Sequence, residues 1–237
     1  MARAISAAGR IILALDTPDT DRAWSLAQAA APHFGMVKLG LEFHLANGAE
    51  GYRRVAASAA RPVFLDLKLH DIPNTVAGAV RSVLPLAPRL LTLHAAGGTA
   101  MIEAARLVAE EAGADRPLLL AVTVLTSLRA ADLAATGIAG GPTQQVLRLA
   151  RLAILAGADG LVCSPLEVAP LRDTLGDGPA LVVPGIRPEG APAGDQARTM
   201  TPRQAVDAGA DWLVIGRPIT AAADPAEAAA AIAASLA

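Results

Sequence analysis

Ala208-Gly209-Ala210-Asp211-Trp212-Leu213-Val214-Ile215-Gly216-Arg217-Pro218 ends a helical segment on a glycine, enters a short apolar strand and leaves Gly216 and Arg217 at its far end. The Ala-Gly-Ala-Asp step recurs at Ala112 to Asp115 and Ala156 to Asp159, each time between a helical segment and a strand. A glycine there lets a helix terminate in the left-handed conformation. Ala-Gly pairs are common by chance in an alanine-rich chain, but the repeated placement before a strand favours a structural unit. Working outward, eight short runs rich in Val, Ile and Leu alternate with amphipathic, alanine-rich segments: Ile11 to Leu15, Met36 to Leu39, Val63 to Leu67, Leu90 to Leu93, Leu118 to Val124, Gly160 to Cys163, Ala180 to Val183 and Trp212 to Ile215. Such uninterrupted apolar strands imply a parallel sheet buried on both faces. A closed barrel and an open doubly wound sheet share this alternation. Eight units in 237 residues favour one (β/α)₈ barrel domain over residues 1–237, with active-site residues at the C-terminal ends of the strands. No Pro/Gly/Ser linker divides the chain, and Thr136 to Pro142 and Gly185 to Ala197 read as loops.

Composition narrows the function. The longest uncharged apolar run, Pro117 to Leu128, falls short of the roughly 18 residues of a membrane helix. The start of the chain does not read as a secretory signal, so a cytoplasmic location is expected. A formal charge of -2 with three Phe and one Tyr provides neither a basic face nor a stacking platform for nucleic acid, and the expected partner is a small molecule. The single cysteine, Cys163, excludes an intramolecular disulfide framework and reads as strand packing. No Cys/His pair has ligand spacing, so no metal is expected.

The charged residues are unevenly chosen. The chain has eighteen arginines but only two lysines, Lys38 and Lys68, and both fall at predicted C-terminal strand ends. Lysine supplies a compact ammonium that can give up a proton, which arginine does poorly. Around the second lysine stands Asp66-Leu67-Lys68-Leu69-His70-Asp71-Ile72-Pro73-Asn74-Thr75. Alternation along a strand places Asp66 and Lys68 on the same side. Asp71 follows the strand and can reach the same pocket, or a neighbouring subunit's pocket, from a loop. Two ammoniums and two carboxylates buried together balance their charge, which reduces the cost of desolvation.

The stretch Phe64 to Thr75 closely resembles the signature of the bacterial orotidine 5'-monophosphate decarboxylases. The likeness continues through Ala14-Leu15-Asp16, Val37-Lys38-Leu39-Gly40, His94 to Gly98, Val122 to Ser127, Pro184 to Pro188, Gly194-Asp195-Gln196 and Val214 to Pro218. The resemblance implies a cofactor-free decarboxylase acting on a nucleotide, built as a homodimer. It implies that Lys38, Asp66 and Lys68 come from one subunit and Asp71 from its partner, with Lys68 as proton donor. Asp16 and Lys38 would contact the ribose hydroxyls, and Ile72 and Thr75 would reach across the interface. Thr126, with Ser127 beside it, would hydrogen-bond the pyrimidine, Gln196 would bridge base and phosphate, and Gly216 and Arg217 would hold the phosphate.

Barrels commonly bind phosphate between the loops after strands seven and eight, so Gly185 to Ala197 reads as a lid carrying Arg187 toward the ligand. His94 is expected to support the pocket floor, and His70 to point away from it. Two rivals remain at this point. One is a metal-dependent sugar-phosphate decarboxylase or lyase of the related barrel group, in which a carboxylate ends strand two; here that position is Lys38, whose ammonium would repel magnesium. The other is a non-catalytic barrel that binds a phosphorylated ligand.

Overall fold

The computed structural model describes residues 5–189 and 199–237. Eight parallel strands close on themselves in chain order: β1 (Ile11–Ala14), β2 (Met36–Gly40), β3 (Val63–Leu69), β4 (Leu90–His94), β5 (Leu118–Val122), β6 (Gly160–Val162), β7 (Ala180–Val183) and β8 (Trp212–Ile215), with β8 pairing back onto β1. The expected (β/α)₈ barrel is therefore observed. Helices α1 (Thr20–Ala30), α2 (Leu41–Ala59), α3 (Pro73–Val83), α4 (Thr99–Ala109), α5 (Ala130–Ala135), α6 (Pro142–Leu155), α7 (Val168–Leu175), α8 (Pro202–Asp207), α9 (Arg217–Thr220) and α10 (Pro225–Ala234) lie between and after the strands. Among the described residues, no helix is long and apolar enough to cross a membrane.

Alternation along each strand sorts the apolar residues into two cores. Ile12, Ala14, Met36, Phe64, Leu90, Leu120, Val182, Trp212 and Val214 fill the barrel interior. Their neighbours in sequence, such as Ile11, Leu13, Val37, Leu65, Leu91 and Leu213, face outward under the helices. The helices meet them with apolar stripes at helical spacing: Ala23, Ala27 and Ala30 on α1, and Val76, Val80 and Val83 on α3. Proline in the first turn starts α3, α6, α8 and α10, where the missing N–H costs no helical bond.

The Ala-Gly-Ala-Asp repeat fastens the opposite end of the barrel. Gly113, Gly157 and Gly209 all take positive φ, at 57°, 94° and 110°. Asp159 then accepts hydrogen bonds from the Leu119 amide at 2.9 Å and from Arg116 at 2.8 and 2.9 Å, and pairs with Arg106 at 2.9 Å. Asp211 repeats the arrangement one pair of strands further on, with the Leu181 amide and Arg172 both at 2.8 Å. Asp115 keeps the glycine turn, but its own side chain is exposed.

These bonds have a pH signature. Burial alone would raise the Asp159 carboxyl, but the bonds from Arg116 and Leu119 and the charges of Arg116 and Arg106 outweigh it, and its pKa lies below the ordinary value. The unfolded chain therefore takes up the proton more readily than the folded one. The stabilisation is complete above the ordinary aspartate pKa of about 3.9 and is lost as pH falls through the lower folded value. Asp159→Ala is expected to cost about 3 kcal/mol at neutral pH, because it strands Arg116 and the Leu119 amide. Denaturant unfolding of the two proteins at pH 7 checks this, and their difference should shrink toward pH 2.

Candidate active site

A cavity of about 550 Å³ opens at the C-terminal mouth of the barrel. Asp16, Lys38, Asp66 and Lys68 line it, together with the apolar Phe64, Val122, Val162 and Val214. Strand periodicity explains the first set. Lys38 stands two residues beyond Met36 and Asp66 two beyond Phe64, so each continues an interior-facing row past the point where the apolar filling stops. Asp16 stands two residues beyond Ala14, past the end of β1.

The four side chains form one row of alternating charge. Lys38 Nζ lies 2.8 Å from Asp16 Oδ1 and 3.7 Å from Asp66 Oδ2, and Lys68 Nζ lies 2.8 Å from the same Asp66 oxygen. Burial alone would push the Lys38 ammonium down, but the carboxylates of Asp66 and Asp16 outweigh it and hold its pKa above the ordinary lysine value. Burial would likewise raise Asp66, and the charges of Lys38 and Lys68, with hydrogen bonds from Lys68 and Thr92, hold it below the usual carboxylate range. Both groups therefore stay ionised at neutral pH, each charge sustained by its neighbours.

Regular alternation does not bring Asp66 and Lys68 together in the way the sequence suggests. Strand β3 runs to Leu69 rather than ending at Leu67, and its register against β4 shifts: Leu65 faces Leu91 while Leu69 faces Leu93. Three residues of β3 thus stand against Thr92 alone, a bulge that re-aims the chain. Lys68 sits in the bulge with φ of 49°, a left-handed conformation that costs an ordinary side chain about 1–2 kcal/mol. Strain of this kind persists where the surroundings over-determine it, commonly at functional sites.

The cavity is also lined by Arg187 and Arg217, with Gly185 and Gly216. Burial, reinforced by the charge of Arg217, pulls the Arg187 pKa below the ordinary guanidinium value. Two guanidiniums facing one space form a receptor for an anion, and their forked donors match phosphate oxygens. Gly185 has φ of 80°, which suits the sharp turn that follows β7. Arg187 is anchored by Nη1 donating to the Ile186 carbonyl at 2.8 Å, and its amide donates to Met200 at 3.0 Å.

Of the remaining expected site residues, Thr126 lines the cavity, whereas the adjacent Ser127 is exposed outside it. Asp71, Ile72 and Thr75 are exposed at the start of α3 and do not line the cavity of their own chain. Gln196 and the central part of the expected lid lie outside the described residues. His94 does not line the cavity either; its ring lies 5.3 Å from that of the exposed His70, between centroids. Cys163, read from sequence as packing, is buried and also forms part of the cavity wall. Sequence reasoning missed Thr92, a wholly buried hydroxyl that bonds to both Asp66 and Lys68. The available signal was a polar residue on the inward face of an otherwise apolar run, Leu90-Leu91-Thr92-Leu93.

Residues 9–232 match the model of the orotidine 5'-phosphate decarboxylase / HUMPS family. The chain belongs to this family. Among its members, the orotidine 5'-phosphate decarboxylase of Gluconobacter oxydans is 55% identical over 226 residues, covering 94% of this chain and 95% of that protein. That of Anaeromyxobacter dehalogenans is 57% identical over 227 residues, covering 96% and 98%. The crystal structure of orotidine 5'-phosphate decarboxylase from Lactobacillus acidophilus superposes with a TM-score of 0.84 at 36% identity, covering 96% of this chain and 99% of that one. The family resemblance read from Phe64 to Thr75 thus extends over the whole barrel.

Proposed function

We propose that this chain decarboxylates orotidine 5'-monophosphate to uridine 5'-monophosphate, the last step of de novo pyrimidine synthesis, in the cytoplasm and without a cofactor. The observation that carries the reading is the row Asp16–Lys38–Asp66–Lys68 in a cavity that Arg187 and Arg217 also line. Such a site offers guanidiniums to a phosphate and ammoniums to a reacting carboxylate of the same ligand.

In this mechanism the bond from C6 to the substrate carboxylate breaks and carbon dioxide leaves, with the electron pair remaining at C6. The Lys68 ammonium first stabilises that carbanion and then transfers its proton to it, giving the C6–H bond of the product. Fixed charges aimed at developing charge in a water-poor cavity are usually the largest catalytic contribution. Asp66 holds the Lys68 ammonium in place at 2.8 Å, and the apolar wall of Phe64, Val122, Val162 and Val214 limits competing solvation. Asp16 and Lys38 bind the ribose hydroxyls, Thr126 and Ser127 the pyrimidine, Gln196 the base and phosphate, and Gly216, Arg217 and Arg187 the phosphate.

The working unit in this proposal is a homodimer in which Asp71 completes the partner's site and Ile72 and Thr75 accompany it. In support, Ile72 leaves 66% of its surface exposed at the tip of the β3–α3 turn, while the Asp71 carboxylate accepts the Ile72 amide at 2.6 Å rather than facing its own cavity. An apolar side chain displayed beside a carboxylate suits burial under a second copy.

The rival that uses magnesium meets an obstacle in the geometry, because the Lys38 ammonium fills the space between Asp16 and Asp66 where a cation would have to sit. Purified protein treated exhaustively with a chelator is expected to release carbon dioxide from orotidine 5'-monophosphate at an undiminished rate. A requirement for added magnesium would favour the sugar-phosphate lyase reading, and nucleotide binding without carbon dioxide release would favour a binding barrel.

A further inference from the structure

We propose that Thr92 is a positioning residue for the decarboxylation, its hydroxyl pinning the β3 bulge that sets Lys68 against Asp66 at the cavity. The inference rests on the reading of Lys68 as proton donor and extends it to a residue that does not touch the substrate. Thr92 is wholly buried on the inward face of β4, two residues beyond Leu90, and does not line the cavity. Its hydroxyl makes two bonds of opposite sense: it donates to Asp66 Oδ1 at 2.8 Å and accepts the Lys68 backbone amide at 2.9 Å. One side chain therefore ties the backbone of the proposed proton donor to the carboxylate that holds the donor's ammonium.

Each bond answers a need created by the bulge. The register shift between Leu65 and Leu69 interrupts the regular pairing with β4, and the Lys68 amide donates its hydrogen bond to a side chain instead. Lys68 is held there with φ of 49°. A strand that relaxed toward regular geometry would keep Lys68 on the face of Asp66 but change its register against β4, and with it the place its ammonium reaches. On Asp66 the two oxygens are divided: Oδ1 receives Thr92, and Oδ2 faces Lys68 at 2.8 Å and Lys38 at 3.7 Å. The carboxylate plane is thereby fixed, and with it the direction in which the Lys68 ammonium points. If Thr92 served only to fill space, an apolar residue of the same shape would do as well, as Leu90, Leu91 and Leu93 do along the same strand.

Thr92→Val keeps the shape and removes the hydroxyl; Thr92→Ser keeps the hydroxyl and removes the methyl. Thr92→Val is expected to lower kcat by about 100-fold, the scale of an ångström-sized misplacement of a catalytic group. KM and the affinity for uridine 5'-monophosphate should change by less than about threefold, since ribose and phosphate contacts are untouched. Thr92→Ser should stay within about threefold of the parent kcat. Circular dichroism establishes that the variants fold, and Thr92→Ala replaces Thr92→Val in the comparison with Ser if the valine variant does not. The proposal is overturned if the variant lacking the hydroxyl keeps the parent kcat, or if Ser loses as much as Val. Lys68→Ala assayed in parallel separates the two levels. Turnover retained there removes the proton-donor reading itself, whereas an inactive Lys68→Ala beside a fully active Thr92→Val removes only the role of Thr92.

Discussion

Lys68→Ala is expected to lower turnover of orotidine 5'-monophosphate by about 10⁴-fold or more, since it removes both a proton donor and the positive charge nearest the forming carbanion. Affinity for uridine 5'-monophosphate should change by less than about tenfold, because the product carries no charge at C6 for the ammonium to meet. The fold should survive the substitution. Asp66 would still be held by Thr92 at 2.8 Å and by Lys38 at 3.7 Å, so its charge is not left without a partner. Alanine would also stand in the same left-handed conformation as lysine, so the backbone strain is carried over rather than relieved. Single-turnover kinetics with saturating substrate, set beside product-binding titrations, separate these effects. Full activity in this variant would reject the assignment of Lys68, whatever the binding result.

The barrel was legible because its information is local. Runs such as Val63 to Leu67 and Trp212 to Ile215 are apolar without interruption, and only a strand covered on both faces accommodates that. Their number then distinguished closure from an open sheet. The charged row was legible for a different reason: in a chain that otherwise uses arginine, Lys38 and Lys68 both stand at strand ends. Asp16, assigned to the ribose through the family resemblance, proves also to be the outer member of the row, 2.8 Å from Lys38.

What stayed hidden depends on pairing between distant segments. The shift of β3 against β4 leaves no mark in Phe64 to Leu69 itself, because a bulge is set by the partner strand as much as by its own residues. The left-handed Lys68 and the dual role of Thr92 follow from that shift and were equally out of reach. The apolar wall was invisible too, since Val122, Val162 and Val214 are indistinguishable in sequence from barrel filling. Ser127 shows the opposite limit: it is adjacent to Thr126, yet the turn after β5 leaves it exposed while Thr126 lines the cavity.

The second large effect concerns Asp71, which the structure leaves exposed at the start of α3. Asp71→Ala alone is expected to reduce turnover by about 100-fold or more, because the charge balance around Lys68 would lose a carboxylate in every site. The same change made in a chain whose partner lacks Lys68 has a different consequence. In a heterodimer of Lys68→Ala and Asp71→Ala chains, one pocket would lack both groups, while the other would take Lys68 from one chain and Asp71 from the other and be complete.

Mixing the two inactive variants under conditions that exchange subunits, and then assaying decarboxylation, therefore tests whether charges from two chains act together on one substrate. Random exchange of equal amounts should recover about a quarter of the parent activity, since half the dimers are mixed and each holds one complete pocket. A mixture no more active than its separate components, with exchange verified by mass, would show that each pocket is built from one chain and would contradict the account.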